Sequence, residues 1–370
     1  MRLETSFEVR LDLLAKNFEH LKGLTPDNEI IFMVKADAYG HGLLPIVEFA
    51  TVELGIKNFG CASVGEAIAI RRNLPHLECN LWVFSDLNLE LKAAKEAYLN
   101  LNILPVIAHK AQLEMFLEDK DFDSSPLVLK LDTGMNRLGV HEQELNEIIS
   151  LLKKHNRRQI FHLMTHFANS YLKLRDGDKT HKQYQLFLKL KQQLQTAGIN
   201  IEQTSCANSG AIEQGFSLAE SHVRPGLMMY AGKTLPFSSW PGQTISSFST
   251  NILKINKINK GVPVGYGSHV CGKNGHLVYL PVGYGDGILT YYSGRDFDFR
   301  GVKTQILGRV NMDMVAVFFE KLPAGFCESD RFVFWDESEN SVRNLADSFR
   351  TTIYQVFTAI TPRVSRRYLK

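Results

Sequence analysis

Side chains able to do chemistry stand where short apolar runs of this sequence stop. Lys35 follows Met33 and Val34 and precedes Ala36, Asp37, Ala38, Tyr39, Gly40, His41 and Gly42. An ammonium flanked by apolar and small groups has a lowered pKa, which favours Schiff-base chemistry. Lys130 with Asp132, His166, Asn208 with Ser209, and Arg224 close other runs. Each has a plainer reading: a lysine snorkelling from a strand end, a hydrogen-bonded structural histidine, an ordinary helix N-cap. On spacing alone the two readings of Lys35 are balanced.

The elements that must position these residues come from the apolar pattern. Eight short runs recur: Ile30–Val34, Asn58–Ala62, Leu81–Phe84, Asn102–Val106, Leu127–Leu131, Ile160–Thr165, Gln203–Ala207 and Ser221–Arg224. Segments between them carry helical spacing, such as Leu43, Ile46, Val47 and Ala50, or Leu186, Phe187, Leu190 and Leu194. Alternating strands and helices imply a parallel sheet with right-handed crossovers, and eight such units close a (β/α)8 barrel. An open doubly wound sheet is the rival. It usually shows a glycine fingerprint after its first strand, whereas here that strand runs into Lys35 with no GxGxxG. The expected fold is therefore α/β, a TIM-type barrel, whose chemistry gathers at the carboxyl ends of the strands.

After Tyr230 the texture changes. Residues Leu235–Ser249, rich in Pro, Ser and Gly, read as a connector. Beyond it β-type runs dominate: Asn251–Ile258, His276–Pro281, Lys303–Leu307, Met314–Phe319 and Arg331–Trp335. The expected division is a barrel over residues 1–235 and a mainly β C-terminal domain over residues 236–370.

The 370 residues, 44% hydrophobic and 22% charged, have ample apolar material for a globular core, which excludes disordered, collagen-like and coiled-coil classes. With 42 basic against 39 acidic residues the net charge of +3 is too balanced for a nucleic-acid or anionic-membrane footprint, so a small-molecule partner is expected. Cys61, Cys79, Cys206, Cys271 and Cys327 form no CxxC pair and suggest no disulfide framework or metal site. No run reaches a membrane span and no signal peptide is seen, giving a cytoplasmic expectation.

Lys35 with its following Ala-Asp-Ala-Tyr-Gly-His-Gly stretch, Lys130 with Asp132, His166, Asn208 with Ser209, and Arg224, in this order, resemble the motifs of the bacterial alanine racemases. The Lys35 stretch resembles the family's pyridoxal-phosphate lysine segment, and Leu129-Lys130-Leu131-Asp132-Thr133-Gly134-Met135-Asn136-Arg137-Leu138-Gly139 its substrate-arginine loop. Met164-Thr165-His166-Phe167-Ala168 is similar to its histidine strand, and Ala207-Asn208-Ser209 to its phosphate-binding turn. Val223-Arg224-Pro225-Gly226, Gly265-Tyr266-Gly267, the run from Pro281 to Gly287, Gly308-Arg309-Val310-Asn311-Met312-Asp313 and Tyr354 follow in order. These matches spread from residue 33 to residue 354.

The resemblance implies pyridoxal 5′-phosphate as cofactor, alanine as substrate, and a homodimer in which the partner's second domain completes each site. Lys35 would hold the cofactor and act as base on one face of Cα, with Tyr266 of the partner subunit on the other. An unperturbed tyrosine is a poor base near neutrality, so Arg137, Arg224 and His166 are expected to favour its phenolate by their charge. Taken alone, Tyr266 reads more simply as an aromatic packing at an interface. Arg224 would face the pyridine nitrogen, oriented by His166. Ser209, Gly226, Leu227, Tyr39 and Tyr354 would hold the phosphate, with Asn208 beside the cofactor. Arg137 and the Met312 N–H would bind the substrate carboxylate, and Tyr284 would line the entrance. Walls of Tyr266, Tyr284, Met312 and Tyr354 would leave room for little beyond a methyl group. The family also implies D-alanine supply for peptidoglycan.

Two departures stand out. Asn136 occupies a position where glycine is common, and Thr290 one that is often arginine. Lys130 matches a lysine that is carbamylated in some members. Rival readings are a racemase of broader specificity, serine included, a decarboxylase of the same architecture, and a non-catalytic pyridoxal-phosphate carrier. The decarboxylases set a carboxylate, not an arginine, against the ring nitrogen. A carrier has no reason to keep Tyr266, Arg137 and Met312.

Overall fold

The computed structural model describes residues 2–370. The chain forms two units. One holds Ala15–Ala38 and Leu43–Gly242, and the other holds the N-terminal stretch to Leu14, Tyr39–Gly42 and Gln243–Lys370.

The first unit is a closed barrel of eight strands, each hydrogen-bonded in parallel to its neighbours. They are β2 (Glu29–Met33), β3 (Asn58–Ser63), β4 (Asn80–Asp86), β5 (Ile103–Ile107), β6 (Val128–Lys130), β7 (Gln159–Met164), β8 (Asn200–Asn208) and β9 (His222–Arg224). All eight sequence runs became strands, because a strand buried on both faces reads as a continuous apolar run between turn signals. The barrel strands are packed on both faces: outside, Phe32 stacks on Tyr230 of the short helix Leu227–Ala231 with ring centroids 5.4 Å apart, and inside, Trp82 meets His162 edge to face at 4.9 Å. His162 in turn meets His222 at 5.0 Å. β4, β7 and β9 are not neighbours in the closed order, so these rings meet across the interior.

The second unit contains three sheets. β1 (Arg2–Arg10), β10 (Ser246–Asn251), β18 (Arg331–Trp335) and β19 (Val364–Leu369) form one, in the order β18-β10-β1-β19. β11 (Lys254–Ile258), β14 (Gly275–Leu280), β17 (Val315–Phe319), β16 (Val302–Ile306) and β15 (Asp296–Phe299) form the second, in that order. The third is a hairpin of β12 (Pro263–Val264) and β13 (His269–Val270). Two short helices, Ser341–Ser348 and Ile353–Thr358, complete the unit.

Two expectations need correction. The linear division at residue 235/236 does not hold at the N-terminus, because β1 pairs with β10 and β19 in the β unit. Part of the expected connector is likewise strand β10, alternating buried and half-buried along SSFSTN. Hydroxyl pairs across the sheet explain both: Thr5 Oγ1 lies 2.8 Å from Thr250 Oγ1, and Ser6 Oγ 3.3 Å from Ser249 Oγ. Polar residues can fill these buried rows because each hydroxyl finds a partner.

Candidate active site

Lys35 follows the end of β2 and is half-buried. Ala36, Asp37, Ala38 and Tyr39 after it all have positive φ, between 52° and 56°, a left-handed turn built without glycine. Such residues cost about 1–2 kcal/mol each, so the turn must be held from outside. Glu66 does part of this: its Oε1 accepts from Ala36 N–H at 2.7 Å and its Oε2 from Ala62 N–H at 2.7 Å. Asp37 Oδ1 accepts from Leu43 N–H at 2.7 Å, and Val34 C=O from Ala38 N–H at 2.8 Å. Burial lowers the Lys35 pKa and the Arg137 charge lowers it further, against an opposing pull from Glu66. Glu66 was not expected as a site residue, although Ser63 and Glu66 form a capping box whose S-x-x-E signature is visible in the sequence.

Lys130, at the end of β6, is buried, and its pKa is pushed down to about 8 by burial and by Arg137, Arg224 and Lys35, with Asp132 opposing. Asp132 governs the loop that carries Arg137. Its Oδ1 accepts from the N–H groups of Gly134, Met135 and Asn136 at 2.8–3.0 Å, and its Oδ2 from Arg137 N–H at 2.8 Å. Burial alone would raise this carboxyl, but the four amides together hold it below its ordinary pKa. Asn136 has φ +56°, the left-handed region that asparagine tolerates better than most residues, which accounts for its standing in for glycine. Gly139 has φ +137°, and a Cβ there would press on the backbone of Leu131 and Asp132.

Arg224 ends β9 opposite Asn208 of β8 and is buried. Nη1 donates to Ser205 Oγ, and Nη2 donates to Thr165 O and to Cys206 O, the last at 3.3 Å. Of its five N–H hydrogens, the Nε–H and one on Nη1 remain. Burial pushes its pKa down only to about 10, so it stays cationic near neutrality. None of its hydrogen bonds runs to His166, contrary to the expected orienting role; carbonyls and the Ser205 hydroxyl do that work. His166 Nε2 instead faces Asn208 Nδ2 at 3.5 Å. Burial and the charges of Arg224, Lys130, Arg137 and Lys35 drive the His166 pKa well below its ordinary value. The expectation that His166 adds positive charge is therefore corrected: its ring is neutral where the arginines are charged.

Asn208 is the N-cap of the short helix Ser209–Ile212, so that reading of the pair was right, and its Oδ1 also accepts from Ser170 Oγ at 2.6 Å. Ser209 Oγ accepts from Gly226 N–H at 2.9 Å and Met228 N–H at 3.3 Å. The Gly226 amide is thus occupied, whereas Leu227 N–H meets no acceptor among the described residues.

The other expected residues lie in the β unit. Tyr39 and Tyr354 have ring centroids 5.8 Å apart. Tyr266 sits at the tip of the β12–β13 hairpin between Gly265 and Gly267, both at positive φ, and is 71% exposed. Val264 roots that hairpin in a cluster with Ile258, Cys271, Leu277 and Ala316. Tyr284 N–H donates to Asn311 O and Gly285 N–H to Met312 O, both at 2.9 Å, which ties the Tyr284 loop to the Met312 loop. Met312 is 57% exposed, and its own N–H has no acceptor among the described residues. Thr290 opens a single 3-10 turn, Thr290–Tyr292.

A closed parallel barrel with Lys35 and Arg224 at its strand ends and Arg137 on the loop after β6, continued in the same chain by a β unit, defines a TIM-type barrel protein with a second, mainly β domain. The family model for the alanine racemase N-terminal domain matches residues 9–234, and that for the alanine racemase C-terminal domain matches residues 245–368. The chain belongs to the alanine racemase family and is an isomerase. The alanine racemase of Aeromonas hydrophila is 31% identical over 98% of both chains, and that of Vibrio parahaemolyticus 30% over 98% of both. Among solved structures, alanine racemase from Acinetobacter baumannii superposes with TM-score 0.83 at 26% identity, covering 100% of both chains. The Bartonella henselae alanine racemase with covalently bound pyridoxal phosphate reaches 0.85 at 23% identity, again over 100% of both. No helix among the described residues is long and apolar enough to cross a membrane.

Proposed function

We propose that this chain interconverts L-alanine and D-alanine with pyridoxal 5′-phosphate held by Lys35. The observation that carries the reading is Lys35 itself, a half-buried strand-end amine whose pKa is lowered by burial and by Arg137. The donor set fits the cofactor. Ser209 Oγ already accepts from two amides, so its hydroxyl hydrogen is free for a phosphate oxygen, and Leu227 N–H is a second open donor. Gly226 acts through Ser209, and Tyr39 and Tyr354 add hydroxyls. Arg224 keeps two N–H hydrogens for the pyridine nitrogen. A guanidinium donates but does not accept, so that nitrogen stays unprotonated.

When bound, pyridoxal phosphate supplies an electron sink that makes the α-proton of an attached amino acid removable. Lys35 Nζ takes or returns that proton on one face of Cα. Tyr266 Oη of the partner subunit does the same on the other. Arg137 meets the substrate carboxylate with its planar fork, joined by the open Met312 N–H of the partner subunit. Asn208 and the neutral His166 line the cofactor. The exposed side chains of Tyr266, Tyr284, Met312 and Tyr354 on the β unit support the reading of a homodimer in which a second copy covers them. They also wall the pocket to methyl size, with serine as a slower substrate. We assign the D-alanine to peptidoglycan supply and the enzyme to the cytoplasm.

The test is loss of optical rotation from L-alanine, L-serine and a bulkier amino acid by the purified, cofactor-loaded protein. Alanine should racemise fastest and the bulky substrate hardly at all. Racemisation of none would reject the activity, and equal rates on all three would favour the broad-specificity reading.

A further inference from the structure

We infer that His162 is a positioning residue for Arg224 and acts through the hydroxyl of Ser205. The inference rests on the assignment of Arg224 to the cofactor ring proposed above. His162 lies on β7 and Ser205 on the neighbouring β8, both fully buried, on the strands whose carboxyl ends carry His166 and Asn208. Arg224 Nη1 donates to Ser205 Oγ, and His162 Nε2 lies 2.7 Å from the same oxygen. His162 Nδ1 lies 3.3 Å from Gln203 Oε1.

The proton inventory gives this chain one direction. A guanidinium has no acceptor, so Ser205 Oγ accepts from Arg224; Gln203 Oε1 against Nδ1 puts the proton of a neutral His162 ring there, so the Ser205 hydrogen points to the bare Nε2. A neutral ring is required, and burial, His222 and Arg224 all hold the His162 pKa well below its ordinary value. Two rings fix the imidazole in place: Trp82 edge to face at 4.9 Å and His222 at 5.0 Å. His222 is itself pushed down to about 4, chiefly by burial, so it too is uncharged near neutrality, and its Nδ1 is 2.8 Å from Ser221 Oγ. Without His162 the Ser205 hydroxyl loses its buried acceptor and can turn toward a carbonyl, which frees Arg224 Nη1 to reorient. A structural histidine would stabilise the barrel and nothing more. One acting through Ser205 sets where the arginine's remaining N–H groups point.

The test compares His162→Phe, His162→Gln, Ser205→Ala, the His162→Phe/Ser205→Ala pair and Arg224→Lys as cofactor-loaded proteins. Two readouts separate positioning from stability: retention of pyridoxal phosphate on dilution, followed by absorbance, and the ratio of pyridoxamine phosphate formed to alanine racemised. His162→Phe and Ser205→Ala should each weaken retention and raise the ratio by about tenfold, as coupled residues in one hydrogen-bond network do. The double variant should be no worse than either single one. His162→Gln should recover much of the loss, because its amide oxygen can accept from Ser205. If His162→Phe does not fold, Ser205→Ala decides, since it removes the relay with the smallest change in volume. Both readouts within about twofold of wild type in the folded variants, or multiplying effects in the double variant, overturn the inference. Arg224→Lys separates the failures: if it shifts both readouts while the relay variants do not, only the relay is wrong. If it shifts neither, the assignment of Arg224 is wrong and the relay falls with it.

Discussion

Lys130 offers a stability measurement that reports on the electrostatics of the barrel mouth. Its side chain is buried among Arg137, Arg224 and Lys35, and its pKa falls from 10.5 to about 8, with burial the largest cause. That drop corresponds to about 3 kcal/mol acting against the folded state wherever the amine is charged in both states. The unfolded chain binds more protons between about pH 8 and 10.5, so stability rises with pH through that window, and the penalty is complete below it. Lys130→Met removes the charge with little change in volume. In carbon dioxide-free buffer it should raise the unfolding free energy of the cofactor-free protein by about 2–3 kcal/mol near pH 7, a gain that falls below about 1 kcal/mol near pH 10. Urea unfolding followed by circular dichroism at a series of pH values reads this directly. A destabilised Lys130→Met protein, or a gain independent of pH, would refute the reasoning. We further expect bicarbonate to stabilise the wild type alone, because carbamylation turns the amine into an anion facing Arg137; absence of a carbamate carbon signal in 13C NMR would reject that modification.

Other expectations follow from the same geometry. Arg224→Glu can protonate the pyridine nitrogen and should raise transamination relative to racemisation; an unchanged ratio of pyridoxamine phosphate to product counts against the assigned role. Asp132→Asn sets an amide NH2 against either the Arg137 amide on Oδ2 or the three amides on Oδ1, and leaves a weaker neutral acceptor for the rest, which loosens Arg137. Its KM for alanine should rise about tenfold with a smaller change in kcat, and an unchanged KM would mean that the loop is held by other contacts. Lys35→Ala should lose the absorbance of the covalently held cofactor, and a retained band would place the attachment elsewhere.

The barrel was legible because its strands are apolar runs closed by chemistry-bearing residues, from Lys35 on β2 to Arg224 on β9. The β unit was legible only in part. β1 and β10 place Thr5, Ser6 and Thr250 in buried positions and Ser249 in a half-buried one, and their hydroxyls satisfy one another across strands, so their hydropathy resembles that of a loop. The left-handed turn after Lys35 runs against the preferences of Ala36, Asp37 and Ala38, and it is held by Glu66 from a separate helix. His166 was read correctly as a strand-end residue, but its charge was not, since four cations around one imidazole are visible only in three dimensions. His162 and Ser205 lie inside apolar runs, where nothing in the sequence separates a polar relay from a satisfied core.

The central claim is that two groups divide the faces of Cα. It is tested most directly by 1H NMR of L- and D-alanine incubated in deuterium oxide with wild type and with Tyr266→Phe, both carrying cofactor. Wild type should exchange the α-proton of both enantiomers and racemise each. Tyr266→Phe should keep exchange for the one enantiomer whose proton faces Lys35, while losing racemisation by orders of magnitude. Racemisation at the wild-type rate, or equal exchange of both enantiomers by the variant, would contradict the account.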